Sequence, residues 1–512
     1  MSNKSSDSLF RLIKSMTKAE KRYFKVFSSR HIIGDSNNYL LLFNAIDAMS
    51  EYDEEALLKK FKGKSFVARF SISKNRLYNA LLKCLDSFHS NSSVDAQLQR
   101  QLHSIEILYH KSLYAQSMKL LQSAAKVAEK HEKYTILAEI YKWEKRILEK
   151  DNYEEIKSDA RIDKILQADR QLTKKLQNYN ELWNIKSKIF SQLYKHGKVR
   201  SESERARLYQ YIREATALFD GKVEGTENAY LLNHIYSGYY FSLGDYAACY
   251  PYLLDNLKLI EKKSHLFREE PNIYLSVLTN AIYVGIRLGK WKEARAHIDK
   301  LQRMPEQLSV HLNEDLEFRL FTLTKSTELT LYTQSGEFEK GLELVAAIEE
   351  GLAKYDDLLS SVRKAHFYFN VAIIYFGLEQ YKEALRWVNK LLNNIEIDKT
   401  QDIHCIAQIL NLVVHLELGN KELLPYALRS TQRFLATRNK AFEFERVMLA
   451  FVNESLKKRQ DKTQQELYND LVAQLEVLRK NPMEQIVFEY FDFLAWAKSK
   501  ASGVKYREML AA

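Results

Sequence analysis

The sequence predicts an all-α protein, and three observations support that fold class. Its 512 residues include only 15 glycines and 5 prolines, far fewer than the many tight turns of a β-rich chain require. Leu, Lys, Glu and Ala, which lose little rotamer freedom in a helix, dominate the composition. A short phrase also recurs about every 44 residues, as in proteins built from stacked helical units.

The recurring phrase is a small or polar residue, often glycine, followed two positions later by an aromatic residue. The four clearest copies lie 45, 47 and 43 residues apart and carry Tyr246, Trp291, Phe338 and Tyr381. Weaker copies continue the period on both sides, near Tyr114, Tyr153, Val199 and Lys421. A period of this size predicts repeated pairs of helices, with the phrase at the turn within each pair.

Helical spacing on both sides of the phrase supports this interpretation. In the clearest unit, apolar residues recur at i, i+3, i+4 and i+7 or close to it, first at Tyr368, Val371, Ala372 and Tyr375, then at Tyr381, Ala384, Val388 and Leu391. Small residues such as Ala294 and Ala384 would let the two helices of a pair approach closely. Because a single pair buries too little apolar surface, neighbouring pairs are expected to stack.

On these residues the sequence resembles the tetratricopeptide (TPR) repeat family, in the long-unit form found in TPR-like bacterial regulators. The matching positions are Gly244, Gly289 and Gly336 at the turns, with the sets Tyr375, Ala384, Leu391 and Tyr332, Gly341, Ile348. The resemblance covers roughly residues 95–480, but the period is longer than the 34 residues of the standard repeat, and the proline that usually closes each unit is missing. It implies a right-handed α-solenoid of about nine helix pairs.

The domain organisation follows from where the repeat begins and ends. We expect a basic N-terminal helical domain over residues 1–90, a TPR-like solenoid over 91–480, and a capping helix with a basic tail over 481–512. Residues 1–90 carry 16 Lys and Arg against 9 Asp and Glu, and the net charge of the whole chain is +11. The aromatic-rich stretch Pro482–Ser499 is interpreted as the cap of an otherwise open solenoid end, with a partner-binding surface as the alternative.

The basic N-terminal region leaves two interpretations open. Thr17 and Glu20 form a capping-box pattern that starts a helix, with Lys18, Lys21, Arg22 and Lys25 on its basic face. Three further segments (Glu54–Lys62, Phe66–Phe70 and Ile72–Phe88) could form a helix-turn-helix that exposes Lys74, Asn75, Arg76 and Asn79 to nucleic acid. The alternative is a small helical bundle with solvated lysines.

Candidate partner-binding residues come from the first helix of each pair, which the resemblance places along the concave groove. Asn280 and Asn370 occupy equivalent positions in two units, and an asparagine amide can both donate to and accept from a peptide backbone. Tyr283, Tyr239 and His234 would add flat contact area nearby. The competing interpretation is that these residues satisfy polar groups between helices.

Catalytic and targeting signals are missing from the sequence. No HExxH, GxSxG or GxGxxG motif occurs, and the three cysteines Cys84, Cys249 and Cys405 are widely separated. We therefore expect a non-enzyme without cofactor or metal, located in the cytoplasm and not in a membrane. The predicted function is a scaffold that binds a protein or peptide in the groove; the alternative is a regulator whose basic N-terminal domain contacts DNA or RNA.

Overall fold

The structure is a computed structural model, and every regular element among its described residues is helical. The described residues are 7–29, 38–90, 93–150, 159–196, 198–199, 202–219, 223–308, 313–394, 402–436, 442–457, 463–481 and 484–511. Contacts divide the chain into two compact units, residues 1–176 and 177–512. Among the described helices, none combines the length and the hydropathy that a membrane-spanning segment requires.

The first unit holds short helices followed by longer ones: α1 (Ser8–Ser15), α2 (Lys18–Ser29), α3 (Asn38–Asp47), α4 (Glu54–Lys60), a 3-10 helix (Ser65–Arg69), α5 (Phe70–Phe88), α6 (Val94–His110), α7 (Tyr114–Lys130) and α8 (Tyr134–Lys150). The expected boundary near residue 90 lies inside this unit. Its buried apolar residues nevertheless form two separate clusters, one drawn from α1 to α5 and one from α6 to α9 (Asp159–His196).

The N-terminal helices start where the sequence indicates. The backbone N–H of Thr17 donates to the Glu20 carboxylate at 2.6 Å, and the Glu20 N–H donates to Thr17 Oγ1 at 3.3 Å. This reciprocal arrangement confirms the predicted capping box. The three-part pattern that suggested a helix-turn-helix folds as α4, the five-residue 3-10 helix and α5, and the last two elements are continuous at Arg69 and Phe70.

The second unit consists of α10 (Glu202–Ala217), α11 (Thr226–Ser242), α12 (Tyr246–Lys262), α13 (Ser264–Phe267), α14 (Pro271–Arg287), α15 (Trp291–Leu308), α16 (Glu314–Ser335), α17 (Phe338–Glu343), α18 (Val345–Lys354), α19 (Ser361–Gly377), α20 (Tyr381–Leu392), α21 (Asp402–Glu417), α22 (Leu424–Ala436), α23 (Glu443–Ser455), α24 (Gln464–Lys480), a 3-10 helix (Gln485–Glu489), α25 (Phe493–Ser502) and α26 (Tyr506–Ala511). Neighbouring helices pack as pairs, for example α11 with α12, α14 with α15, and α19 with α20.

The repeated phrase marks the turn within these pairs. Tyr246, Trp291, Phe338 and Tyr381 are the first residues of α12, α15, α17 and α20. The preceding glycines at 244, 289 and 336 adopt left-handed backbone angles, with φ between 68° and 75°, which end the first helix of the pair. The paired packing predicted from the phrase is confirmed at these four turns, while the weak copy at Tyr153 lies outside the described residues.

Small residues permit the close approach of neighbouring helices, within a pair and between successive pairs. Ala294 and Ala384 are fully buried. Gly341 occupies the equivalent place in the third pair, where a Cβ atom would lie only 2.1 Å from Cδ1 of Ile374. A glycine at this position therefore allows α17 to pack directly on α19.

Candidate functional site

The C-terminal segment, residues 484–511, packs back along helices that lie far earlier in the chain. The Trp496 indole N–H donates to Glu417 Oε1 at 2.8 Å, and Lys500 Nζ lies 2.5 Å from Glu417 Oε2 at the end of α21. Further along, Arg507 Nη1 lies 2.8 Å from Glu339 Oε1 at the start of α17. The segment therefore crosses the helix ends of several successive pairs, which is more than the terminal cap expected from the sequence.

Aromatic residues hold this segment against the repeat. Phe491 meets Phe376 edge-on at 5.2 Å between ring centroids and stacks on Tyr506 at 5.3 Å. Tyr506 in turn stacks on Phe338, an aromatic residue of the repeated phrase, at 6.0 Å. Fully buried rings such as Phe491 and Phe338 each stabilise such packing by about 2–3 kcal/mol.

Glu489 is the polar centre of the contact. Its Oε1 atom accepts hydrogen bonds from Lys198 Nζ at 2.6 Å and from Tyr246 Oη at 3.0 Å. Its Oε2 atom accepts from Tyr283 Oη at 3.2 Å, and its backbone carbonyl accepts from Arg287 Nη2 at 2.8 Å. We call Lys198, Tyr246, Tyr283 and Arg287 together the carboxylate site.

The fold brings the four residues of the carboxylate site together from three places. Lys198 lies between α9 and α10, where the backbone N–H of Val199 donates to the carbonyl of Ser242 at the end of α11. Tyr246 begins α12 directly after the left-handed turn at residue 244. Tyr283 and Arg287 are one turn apart at the end of α14, so both side chains point from the same helix face.

The electrostatics of the site favour a bound carboxylate. The side chains of Lys198 and Glu489 are each only 17% exposed, so water screens their attraction weakly. Burial raises the pKa of Tyr246 and of Tyr283, which keeps both phenols protonated as hydrogen-bond donors. The Lys198 ammonium also lies 4.9 Å from the centre of the Tyr246 ring, where the π face attracts a cation.

A cavity of about 210 Å³ opens beside Glu489. Besides Lys198 and Glu489, its polar lining comes from α14, α16 and α19 and includes Arg287, Thr330, Gln334, His366 and Asn370. Arg287 Nη1 donates to Gln334 Oε1 at 3.3 Å, while the buried Arg287 Nε has no hydrogen-bond partner among the described residues. One donor of this buried guanidinium is thus left unmatched by the described residues.

His366 is one of the titratable residues that line this cavity. Burial, together with the nearby charges of Arg287 and Arg363, lowers its pKa to about 4. The Asn370 amide N–H₂ lies 3.1 Å from His366 Nδ1 and donates to the His366 carbonyl at 2.8 Å. The imidazole is therefore neutral at physiological pH, and the positive charge of the cavity wall comes from lysine and arginine.

The structure separates the five predicted partner-binding residues. Tyr283 and Asn370 line the cavity beside Glu489, and Asn280 is exposed on α14 one turn before Tyr283. Asn370 is buried and bonded within the chain, since Thr333 Oγ1 donates to its Oδ1 at 3.4 Å. It therefore satisfies polar groups between α16 and α19, the competing role weighed from the sequence.

The other two predicted binding residues lie in a separate apolar cluster. His234 is 7% exposed and stacks between Phe190 and Tyr230, at 4.5 and 5.6 Å between ring centroids. Burial lowers its pKa to about 4, with a smaller effect from Lys186. Tyr239 is 8% exposed. Both side chains leave almost no surface for a partner.

The residues predicted to contact nucleic acid differ in their exposure. Lys21 pairs with Asp47 at 2.7 Å, and Lys74 pairs with Glu54 at 2.5 Å, so these two lysines neutralise carboxylates of the same unit. The remaining four, Lys18, Arg22, Lys25 and Arg76, are exposed. Asn75 and Asn79 are exposed as well.

Sequence reasoning did not identify Lys198, Arg287 or Glu489. Arg287 lies four residues after Tyr283 and seven after Asn280, so helical spacing from those two residues could have pointed to it. Lys198 lies beside the weak repeat copy at Val199, but its type gave no reason to select it. Glu489 carries no local signal, because its partners lie about 200 to 290 residues earlier in the chain.

Two further findings bear on the chemistry of the chain. Within the described ranges, no group of three or more His, Cys, Asp or Glu side chains is arranged to hold a metal ion. Comparisons with protein-family models and with curated proteins found no match to this sequence.

Proposed function

We propose that this chain is a non-catalytic scaffold that binds a segment of another protein, on a TPR-like solenoid of about nine helix pairs in the cytoplasm. The observation that carries the proposal is the docking of residues 484–511 along the helix ends of the second unit. Those helix ends already hold a stretch of polypeptide through side-chain hydrogen bonds, ion pairs and buried rings. The same surface chemistry suits a protein or peptide ligand.

A stripe of polar residues on one face of α14 supports the proposal further. Asn280, Tyr283 and Arg287 follow one another at i, i+3 and i+7, which places them on one helix face. Tyr283 and Arg287 contact the C-terminal segment, while Asn280 remains exposed on the same stripe. An exposed amide beside an occupied binding surface is a suitable first contact for an additional peptide.

Site-specific photo-crosslinking in cells tests this function. We would place a photoreactive amino acid at Asn280 and, as the matched control, at Lys292, which is exposed on the partner helix α15. A discrete adduct with another protein, formed from position 280 and not from position 292, is the expected result. The proposal would be contradicted if position 280 formed no adduct under any growth condition, or if both positions formed adducts equally.

A stripe of positive charge on α2 favours a second candidate function, contact with nucleic acid. Lys18, Arg22 and Lys25 are all exposed and follow one another at i, i+4 and i+7. Such a stripe can follow a phosphate backbone. To test it, all three residues are replaced with serine, and nucleic-acid binding is measured in gel-shift titrations at several salt concentrations. The matched control replaces Lys119, Lys126 and Lys130, which are exposed on α7, with the same loss of charge.

The two triple variants separate a specific stripe from general positive charge. If α2 contacts nucleic acid, its replacement weakens binding and lowers the salt dependence, while the α7 replacement leaves both nearly unchanged. Equal losses in the two variants, or binding that survives the α2 replacement, would contradict this second candidate.

A further inference from the structure

A glutamate of another polypeptide could accept the same hydrogen bonds that Glu489 accepts. Three of its four hydrogen bonds reach the side-chain carboxylate, and the fourth reaches a backbone carbonyl, which every residue has. All four donors belong to side chains of the carboxylate site. A glutamate of another polypeptide, with its own carbonyl, supplies the same acceptors.

The C-terminal segment fills its surroundings incompletely. The cavity of about 210 Å³ lies beside Glu489 and Arg287, whose buried Nε atom is unmatched. A second cavity of about 480 Å³ is lined by residues of the segment and by the turns at Gly244 and Gly289. Water rather than protein atoms fills both cavities, so a larger occupant could cover lining atoms that the internal segment leaves uncovered. The internal segment therefore leaves part of this surface uncovered.

Charge and ring contacts define which occupant suits the surface. The carboxylate site presents Lys198 and Arg287 and so selects an acidic residue. Directly after Glu489, Tyr490 meets Phe369 edge-on at 6.2 Å and Phe491 meets Phe376 at 5.2 Å. The complementary sequence is thus a glutamate followed by aromatic residues.

We propose that residues 484–492 hold the place of a partner's segment. In this inference, which rests on the proposed function, a glutamate-aromatic stretch of another protein displaces residues 484–492 and puts its own carboxylate on Lys198, Tyr246 and Tyr283. Residues 493–511 stay in place, because Lys500 and Arg507 keep their ion pairs with Glu417 and Glu339, while the partner's own rings take the places of Tyr490 and Phe491. The internal segment acts as a competitor that only a matching partner overcomes.

Tethering decides how this competition is measured. A segment attached to its own receptor has an effective concentration in the millimolar range, so a free peptide at micromolar concentration binds the wild-type chain weakly. Glu489→Gln weakens the internal segment and leaves all four residues of the carboxylate site intact. The variant is therefore expected to take up an added peptide more readily than the wild-type chain does.

The experiment measures binding of a fluorescently labelled peptide with the sequence of residues 484–492 to the full-length chain by anisotropy. We expect Glu489→Gln to bind it about tenfold more tightly than the wild type, since the loss of a charged hydrogen-bond acceptor weakens the competing internal segment. A second peptide, with glutamine at the position that corresponds to Glu489, should bind the same variant about tenfold more weakly. Adding Lys198→Met should remove this preference for glutamate. Glu508→Gln, at an exposed position of the same segment, serves as the control and should match the wild type.

Several outcomes would overturn the inference. Equal affinity of the wild type and Glu489→Gln, or equal binding of the glutamate and glutamine peptides, would show that the internal segment does not occupy a ligand site. Concentration-dependent dimers in light scattering would show instead that the occupant is the segment of a second copy. Circular dichroism of each variant separates these results from unfolding. Because the crosslinking test at Asn280 does not involve Glu489, a partner found there would leave the proposed function standing even if this inference fails.

Discussion

Lys198 and Glu489 lie 291 residues apart in the chain and form an ion pair, with 2.6 Å between Nζ and Oε1. Both side chains are 17% exposed. Pairs that are exposed to water contribute little to stability, but loss of one partner from a shielded pair leaves an uncompensated charge. This pair therefore joins the end of the chain to the connection between α9 and α10 within the second unit.

The ion pair leads to the first prediction. We expect Lys198→Met to lower the free energy of unfolding by about 1–3 kcal/mol, because Glu489 keeps its charge without the ammonium. A double-mutant cycle with Glu489→Gln, followed by urea denaturation, should give a coupling energy above about 1 kcal/mol. Lys258→Met, which removes the exposed pair with Asp255, is the control and should change stability by less than about 0.5 kcal/mol. Additive losses in the cycle would argue against a direct interaction.

Glycine positions in the paired helices give a second prediction. At Gly341, a Cβ atom would lie 2.1 Å from Ile374 Cδ1, and at Gly377 it would lie 2.2 Å from the Phe338 ring. Since both neighbours are fully buried, Gly341→Ala and Gly377→Ala should each destabilise the protein by about 1–3 kcal/mol in thermal or urea unfolding.

A third glycine provides the matched control. At Gly285, also inside a helix, the nearest neighbour of an added Cβ is the Tyr250 ring at 3.6 Å, an ordinary contact. Gly285→Ala should therefore be neutral or stabilise by about 0.5–1 kcal/mol, since alanine favours the helix. Destabilisation of all three variants by similar amounts would indicate that helix–helix spacing is not the cause.

Local signals explain how much of the fold the sequence reveals. The turn at Gly336 and Phe338 is specified by neighbouring residues, since glycine accepts the left-handed angle and the aromatic begins the next helix. The capping box at Thr17 and Glu20 is equally local. For these elements the pattern and the physical cause lie within one or two helical turns, so sequence alone predicts them.

The candidate site was harder to predict, because burial and long-range packing decide it. His234 and Asn280 both lie on first helices of repeat pairs, but the rings of Phe190 and Tyr230 enclose His234 while Asn280 stays exposed. Nothing near His234 in the sequence shows which face its helix presents to α9. In the same way, the return of the C-terminal segment onto Lys198 depends on contacts that no periodicity encodes.

Glu445 leads to a third prediction, on how stability changes between pH 4.5 and 7. This carboxyl group is 4% exposed, and burial, together with the nearby charge of Glu484, raises its pKa from 4.5 to about 7. In the unfolded chain it ionises above about pH 4.5, whereas the folded protein keeps it protonated to about pH 7. The stability that its protonated form contributes is therefore complete below pH 4.5 and is lost as the pH rises to 7.

Replacement by a neutral isostere should remove this dependence. We expect Glu445→Gln to raise the free energy of unfolding at pH 8 by about 2–3 kcal/mol and to match the wild type near pH 4.5. Thermal unfolding across this pH range gives the measurement. Glu443→Gln, at an exposed position two residues earlier, should leave the profile unchanged. An equal effect of Glu445→Gln at both pH values would rule out the titration of this group as the cause.

His234 leads to the last prediction, on stability in acid. Because its pKa is lowered from 6.5 to about 4, the folded protein keeps the imidazole neutral while the unfolded chain takes up a proton below about pH 6.5. The stability that the neutral imidazole contributes is therefore complete above pH 6.5. About 3 kcal/mol of it is lost as the pH falls from 6.5 to 4. His234→Phe keeps a ring between Phe190 and Tyr230 but cannot be protonated, so its stability should fall less steeply in urea unfolding between pH 6.5 and 4. The control His103→Gln, at an exposed position, should show the same loss of stability with falling pH as the wild type. A His234→Phe profile parallel to that of the wild type would mean that His234 is not a source of the acid sensitivity.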